Sequence, residues 1–273
     1  KFPQGRTLDF SLELYELTNN NQFLEIVENT LINQYTNIEE IDSDYNLFDP
    51  VDGGFHRYGT TREWTKPHYE KMLYDNAQLV SLYAQAYQRT KRPLYKHVVY
   101  QTLEWVKIEM TNKSEAFYSA LDADSEGEEG KYYVWTKSEL KTLLGSDFDW
   151  VKAFYNVSLK GEWEGNYILL RSSSLEDFAN ENDMTLDELI LNVQKVNALL
   201  LAERAKRERP GLDDKSLTSW NCMMAKGYLN AYEAFQEPSY LDAALAVEKW
   251  MSSKQMKKNG QLWHSFKDGK STI

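Results

Sequence analysis

The chain has 273 residues, of which 42% are hydrophobic and 27% charged, and its formal net charge at pH 7 is -11. This length suffices for one large domain or two small ones, and the negative charge argues against a nucleic acid or an anionic membrane as a partner. No apolar run approaches the roughly 18 residues that a membrane helix needs. The single cysteine excludes an internal disulfide and fits a reducing compartment, so we expect a cytoplasmic protein.

Apolar residues spaced three and four apart indicate amphipathic helices along most of the chain. Taken in order, the predicted helices cover residues 8–17, 22–35, 68–89, 94–110, 148–155, 186–209, a segment striped from 220 to 235, and 238–254. Pro67 would open the third of them, where its missing N–H costs nothing. Lys71, Asp75 and Gln78 would then share one helix face. The cations from Arg204 to Arg209 suit the negative end of a helix dipole.

Short segments between the helices have the pattern of strands. The aromatic stretches 117–124 and 131–135 flank an acidic turn that contains glycine, which predicts a β-hairpin. Thr136 followed by Glu139 predicts a capping box at the start of another helix. Further short strands are predicted over residues 168–171 and 262–266.

The recurring unit is a pair of helices followed by a short aromatic hairpin, and no linker or low-complexity run interrupts it. This alternation indicates an all-α fold, an (α/α)6-type toroid with short β-hairpins at one end, where the loops would form the floor of a pocket. The predicted helices are too few for six pairs, so we expect residues 1–273 to be a single but incomplete (α/α) barrel domain.

Several sequence blocks together resemble one family. They are residues 1–3, 53–58, Trp64, 67–75, 117–120, 122–127, 133–136, 165–166, 213–215 and 219–221. The chain is similar to the helical-barrel region of the thioredoxin-domain-containing proteins related to spermatogenesis-associated protein 20. That resemblance implies a barrel akin to N-acylglucosamine 2-epimerases and six-hairpin glycosidases. It also implies a longer chain, with an N-terminal thioredoxin-like domain as partner and a further C-terminal part.

The chain departs from the family pattern at four positions, where Thr61, Tyr69, Ala116 and Cys222 replace the usual residues. The Thr61 change removes a carboxylate beside the candidate site.

The candidate site residues lie in the loops and at the loop–helix junctions, where sites tend to occur. Sugar epimerisation beside a carbonyl needs one group to remove a proton and another to return it, and histidine suits that role. The catalytic candidates are His56, His68, Glu70, Asp75, Asp122 and Asp124. The candidates for binding a carbohydrate-like small molecule are Arg57, Tyr58, Trp64, Tyr118 and Trp220. We expect no metal and no cofactor.

Three alternatives remain open. Glycoside hydrolysis would use two carboxylates, and Asp122 and Asp124 would be roughly 6–7 Å apart on one face of a strand. The same turn matches the first half of a calcium loop, although Tyr133 replaces the glutamate expected at its twelfth position, and a solvated acidic turn is the simpler interpretation. Lastly, the domain could be a non-catalytic scaffold that accompanies a thioredoxin-like domain.

Overall fold

The structure is a computed structural model that describes residues 3–35, 47–60, 66–158, 162–171 and 173–272. Its helices are α1 (Gly5–Thr18), α2 (Asn21–Tyr35), α3 (Leu73–Thr90), α4 (Pro93–Glu109), α5 (Lys137–Leu144), α6 (Phe148–Phe154), α7 (Leu175–Glu181), α8 (Leu186–Arg204), α9 (Thr218–Phe235) and α10 (Pro238–Trp250). None of these helices is both long and apolar enough to cross a membrane.

The strands are short and antiparallel. They are β1 (Tyr58–Gly59), β2 (Pro67–His68), β3 (Lys71–Met72), β4 (Ala120–Leu121), β5 (Asp124–Ser125), β6 (Glu128–Glu129), β7 (Glu162–Trp163), β8 (Asn166–Tyr167), β9 (Leu212–Asp213), β10 (Ser216–Leu217), β11 (Ser265–Lys267) and β12 (Lys270–Thr272). In two three-stranded sheets, β4 lies between β3 and β9, and β11 lies between β10 and β12. The remaining strands form the hairpins β1–β2, β5–β6 and β7–β8.

The mostly helical fold with short hairpins is the predicted toroid type. Helices α1–α2, α3–α4 and α9–α10 form three helical hairpins, and α3 packs against both α9 and α1. One large apolar core joins these pairs, and a second core lies among α5, α6, α7 and α8. Burial of these apolar surfaces is the main force that holds the arrangement together.

Two of the helical hairpins are anchored in the same way at the loop end. Asn76, in the first turn of α3, accepts a hydrogen bond from the Phe55 backbone N–H and donates to its carbonyl, at 2.7 and 3.1 Å. Asn221, at the matching position of α9, holds Phe117 in the same way, at 2.7 and 3.0 Å. Both amides are buried, so each fixes its preceding loop against the start of a helix.

The predicted helix from His68 begins five residues later, at Leu73. Residues 67–68 pair with β1 and residues 71–72 pair with β4, so the backbone is extended there. Lys71 therefore does not share a helix face with Asp75 and Gln78. The first turn of α3 carries Asp75, close to the positive end of the helix dipole.

The predicted hairpin between residues 117–124 and 131–135 is wrong in its pairing. β4 pairs instead with β3 and β9, and Trp135 forms a bridge with Tyr167. Only the acidic tip forms a hairpin, β5–β6. β4 lies between β3 and β9, and both of its residues are buried there. Burial of this kind favours pairing with distant strands over pairing with the next segment of the chain.

Other predictions agree with the structure in part. The capping box of Thr136 and Glu139 is present at the start of α5. Residues 168–171 are not a strand, and α8 ends at Arg204 rather than at Arg209. Helix α7 is absent from the prediction, although Ser174 caps it by accepting from the Asp177 backbone N–H, a signal visible in the sequence.

Candidate functional site

A groove runs along the faces of α1, α3 and α9. Its main part has a volume of about 380 Å³, and an adjoining cavity of about 240 Å³ shares Gly5, Arg6 and Gln78 with it. Both polar and apolar side chains line the main part, among them Asp9, Phe10, Met223 and Lys226. The combined space suits a small polar molecule.

Asp75 lies in the wall of the smaller cavity. Its side chain is buried, and its Oδ2 atom has no hydrogen-bond partner among the residues that the structure describes. Burial raises the pKa of this carboxyl to about 7, although Arg57 and the Tyr74 hydroxyl act in the opposite direction. A carboxyl with such a pKa can both give and take a proton near neutral pH.

A chain of hydrogen bonds and ion pairs connects Asp75 with the β5–β6 hairpin. Tyr74 precedes Asp75 in the first turn of α3 and lowers the pKa of its carboxyl, and the Arg57 Nε donates to the Tyr74 hydroxyl at 3.3 Å. A second guanidinium nitrogen of Arg57 lies 2.9 Å from Glu70. His68, which lies next to Glu70, continues the chain of contacts to the β5–β6 hairpin.

His68 lies between two carboxylates. Its Nε2 is 3.4 Å from Glu70 Oε2, and its Nδ1 is 2.7 Å from Glu129 Oε1. Tyr58 stacks on its ring at a centroid distance of 4.8 Å. Through this histidine, the sequence block near residues 53–75 contacts the block that contains the acidic turn.

A different group of charges is buried in the interior. Asp49 Oδ2 accepts from Lys71 Nζ at 3.0 Å and from Arg204 at 2.7 Å, and the two cationic side chains are 0% and 2% exposed. Lys71 also donates to the Gly53 carbonyl at 2.7 Å. These two cations hold the pKa of Asp49 well below its usual range, although burial opposes them. We name Asp49, Lys71 and Arg204 the buried ion cluster.

His56 belongs to this buried region. Its Nδ1 lies 3.0 Å from the Tyr69 carbonyl, which can only accept, so Nδ1 carries the hydrogen. Burial and the nearby Lys71 lower its pKa to about 3, so the ring is neutral at pH 7. Its ring edge also packs against Tyr133.

Among the described candidate residues, Asp75 alone lines the groove. Asp122 and Asp124 are both exposed, Asp122 between β4 and β5 and Asp124 in β5. Trp220 packs against Tyr74 at a centroid distance of 4.8 Å, and Tyr118 is partly buried against the main core. Trp64 lies outside the described residues.

The structure gives no metal cluster at the acidic turn. Glu126 and Glu128 both pair with Lys131, at 3.3 and 3.0 Å. Within the described ranges, no group of three or more His, Cys, Asp or Glu side chains is placed to hold a metal.

The ion cluster and the contact between His68 and Glu129 have no counterpart among the residues predicted from the sequence. The sequence pattern places Arg204 among the cations of a helix dipole, yet its side chain is buried against Asp49, 155 residues away in the sequence. No local pattern joins such distant residues. Glu129 carries no signal of its own, because it lies in an acidic turn for which solvated charges are the simplest interpretation.

The titration of Asp75 makes stability depend on pH. The folded state keeps a proton up to about pH 7, whereas the unfolded chain releases it near the ordinary value of 3.8. The protonated carboxyl therefore stabilises the folded state at low pH. As the pH rises from about 4 to 7, the free energy of unfolding falls by up to about 4 kcal/mol. Denaturant unfolding of wild type and Asp75→Asn should show a difference that changes across this range and is constant above about pH 8. A difference that is flat from pH 4 to 7 would contradict this assignment.

Comparison with known proteins identifies relatives by sequence. An uncharacterized protein of Caenorhabditis elegans is 30% identical over 97% of this chain, which spans 39% of that protein. Human spermatogenesis-associated protein 20 is 37% identical over 66% of this chain, which spans 26% of that protein. The chain thus corresponds to less than half the length of either relative. Comparison with models of known protein families gives no match.

Solved structures with a similar fold include a glycoside-degrading enzyme. It is an alpha-1,6-mannanase of Salegentibacter sp. HEL1_6, an inactive variant in complex with alpha-1,6-mannotetrose. The match has a TM-score of 0.51 at 12% identity and covers 93% of this chain and 47% of the mannanase chain. At this identity, the similarity establishes the helical-barrel fold alone.

Proposed function

This chain is homologous to part of spermatogenesis-associated protein 20, and we propose that it is a carbohydrate-active domain that carries out acid–base proton transfer on a sugar bound in the groove. The observation that carries this proposal is Asp75, a buried carboxyl with one unpartnered oxygen in the wall of a cavity. The reaction class we propose first is epimerisation or isomerisation beside a carbonyl carbon.

Asp75 is the proposed proton-transferring group. Because its pKa lies near 7, both of its forms are populated at neutral pH, as a general acid–base catalyst requires. Its Oδ2 has no hydrogen-bond partner among the described residues but is itself buried, so a small rearrangement of the side chain has to bring it to a substrate hydroxyl or carbonyl. Because the carboxyl is buried, such a bond would gain strength from the low local dielectric.

The other groups of the chain of contacts position Asp75 and the substrate. Arg57 holds both Glu70 and Tyr74, and Tyr74 in turn lowers the pKa of the carboxyl. His68 is held between two carboxylates and contacts Glu70, as Arg57 does. Trp220 packs against Tyr74 and so supports this chain of contacts without lining the groove.

The test is to incubate this chain with free aldoses and N-acyl hexosamines in D₂O and to follow the sugars by NMR. Epimerisation removes the hydrogen beside the carbonyl and returns a proton from the protein or solvent, so the epimer that forms should carry deuterium at that carbon. Asp75→Asn, which keeps the shape of the side chain, should lower this rate at least about 100-fold. Circular dichroism should show an unchanged fold.

The matched control is Asp149→Asn, which changes the same atoms at an exposed position on α6. It should exchange deuterium at the wild-type rate. Equal rates in the wild type and in Asp75→Asn would exclude Asp75 as the proton-transferring group. No exchange and no binding with any sugar of the panel would refute the whole proposal.

Glycoside hydrolysis is the second candidate, because a solved structure with a similar fold is an alpha-1,6-mannanase. Alpha-1,6-mannotetrose therefore belongs in the panel. Hydrolysis would release new reducing ends without deuterium at a carbon atom, so one spectrum distinguishes the two reactions. Asp75 and Glu70, both linked to Arg57, would then be the carboxyl pair to replace.

A non-catalytic scaffold remains the third candidate. In that case the groove would bind no sugar, and the domain would accompany a thioredoxin-like domain of a longer chain. Titration calorimetry with the same panel addresses this alternative, because a scaffold gives no heat of sugar binding.

A further inference from the structure

A small cavity lies beside the buried ion cluster, and it shares no lining residue with the groove. Its volume is about 20 Å³, which is room for one guest the size of a single water molecule or a monatomic ion. Its walls include Asp49, His56, Tyr69, Tyr133 and Arg204.

Three of the lining residues have a buried polar atom with no partner. These atoms are the hydroxyls of Tyr69 and Tyr133 and the Nε of Arg204, none of which hydrogen-bonds to any residue in the described part of the chain. All three side chains are buried. An Arg Nε–H can only donate, and each hydroxyl can donate one hydrogen. Leaving such donors unmet in an interior is costly, so a guest that accepts hydrogen bonds is favoured.

The charges around the cavity favour a negative guest. Lys71 and Arg204 both bind the same oxygen of Asp49, so two buried cations share one carboxylate. The other oxygen of Asp49 accepts from the Val51 and Asp52 backbone N–H groups, at 3.1 and 3.5 Å. Asp52 is a second carboxyl near these cations, and burial raises its pKa while Lys71 and Arg204 act in the opposite direction.

We propose that this cavity binds one small monovalent anion, such as chloride, which completes the buried ion cluster. The anion accepts from the Arg204 Nε and from the two tyrosine hydroxyls, which otherwise have no partner among the described residues. Because Arg204 belongs to α8 and Lys71 to β3, the bound anion stabilises the contact between the α5–α8 region and the helical hairpins.

Bromide is the direct probe, since it replaces chloride and scatters anomalously. Crystals of this chain grown in sodium bromide should show an anomalous peak within hydrogen-bond distance of Tyr133 Oη and Arg204 Nε. In solution, chloride and bromide should raise the melting temperature saturably, by about 2–4 °C over sodium gluconate at equal ionic strength. General salt effects of bromide would lower the melting temperature, so a higher melting temperature in bromide would indicate specific binding.

Tyr133→Phe removes one donor and keeps the ring, so the half-saturating chloride concentration should increase about tenfold. Tyr132→Phe is the matched control, because Tyr132 is a buried neighbour that does not line the cavity, and it should keep the wild-type midpoint. The absence of a bromide peak in wild-type crystals, or equal melting temperatures in bromide and gluconate, would overturn the proposal in favour of a buried water. These wild-type measurements stand even if the variants do not fold.

Discussion

Replacing Asp49 by asparagine is expected to lower the free energy of unfolding by about 3–5 kcal/mol. The change keeps the shape of the side chain but leaves Lys71 and Arg204 without their shared counter-charge. Both cations are almost fully buried, so water cannot replace the carboxylate. Urea unfolding followed by tryptophan fluorescence gives the measurement.

An exposed pair supplies the control for this experiment. Asp213 lies 3.3 Å from Lys215, and their side chains are 42% and 51% exposed. Asp213→Asn removes the same charge and should cost less than about 1 kcal/mol. If the two variants lost the same stability, the ion cluster would contribute no more than a surface pair, and its central place in the fold would be disproved.

Gly130→Ala is expected to destabilise the chain by at least about 3 kcal/mol. Gly130 has a φ of +76°, and an added Cβ would lie 2.3 Å from Cε2 of Tyr69. Tyr69 cannot move aside, because its ring stacks on Tyr133 at 5.4 Å and contacts Trp163 edge-on at 5.5 Å. Both backbone strain and a steric clash therefore act against alanine.

The same loop provides a control that separates these two effects. Gly127 has a nearly equal φ of +77°, but nothing lies within 4 Å of the position that an added Cβ would take. Gly127→Ala should cost only the backbone strain, about 1–2 kcal/mol. The difference between the unfolding midpoints of the two variants, by heat or by urea, then measures the effect of the clash at Gly130. Equal midpoints would show that the Tyr69 contact is not tight.

Most helices could be predicted from the sequence, because a helix depends on neighbours three and four residues away. The stripes for α1, α2 and α4 and the cap at Thr136 all depend on such short spacings. The start of α3 could not be predicted in the same way. Pro67 is compatible with a first helical turn, yet here it lies in a strand whose partner is β1.

The candidate site was predictable only as a set of residues. Residues 53–58 and 67–75 include Arg57, His68, Glu70 and Asp75. The spacing of these residues gives no information about which side chain faces a cavity. His56 and Asp75 both belonged to the set, and burial moves their pKa values in opposite directions, one to about 3 and the other to about 7. Such shifts depend on desolvation, which only three-dimensional packing determines.

The sequence by itself determined the helical-barrel class of this protein, its relatives and the residues from which a site could be built. The tertiary structure alone decided the partners: β4 with β3 and β9, Asp49 with Arg204, and His68 with Glu129. The physical reason is the range of the interactions. Periodicity and capping depend on residues within about one or two helical turns. Strand pairing and buried ion pairs join segments far apart in the chain, and the local sequence does not distinguish the correct partner from the alternatives.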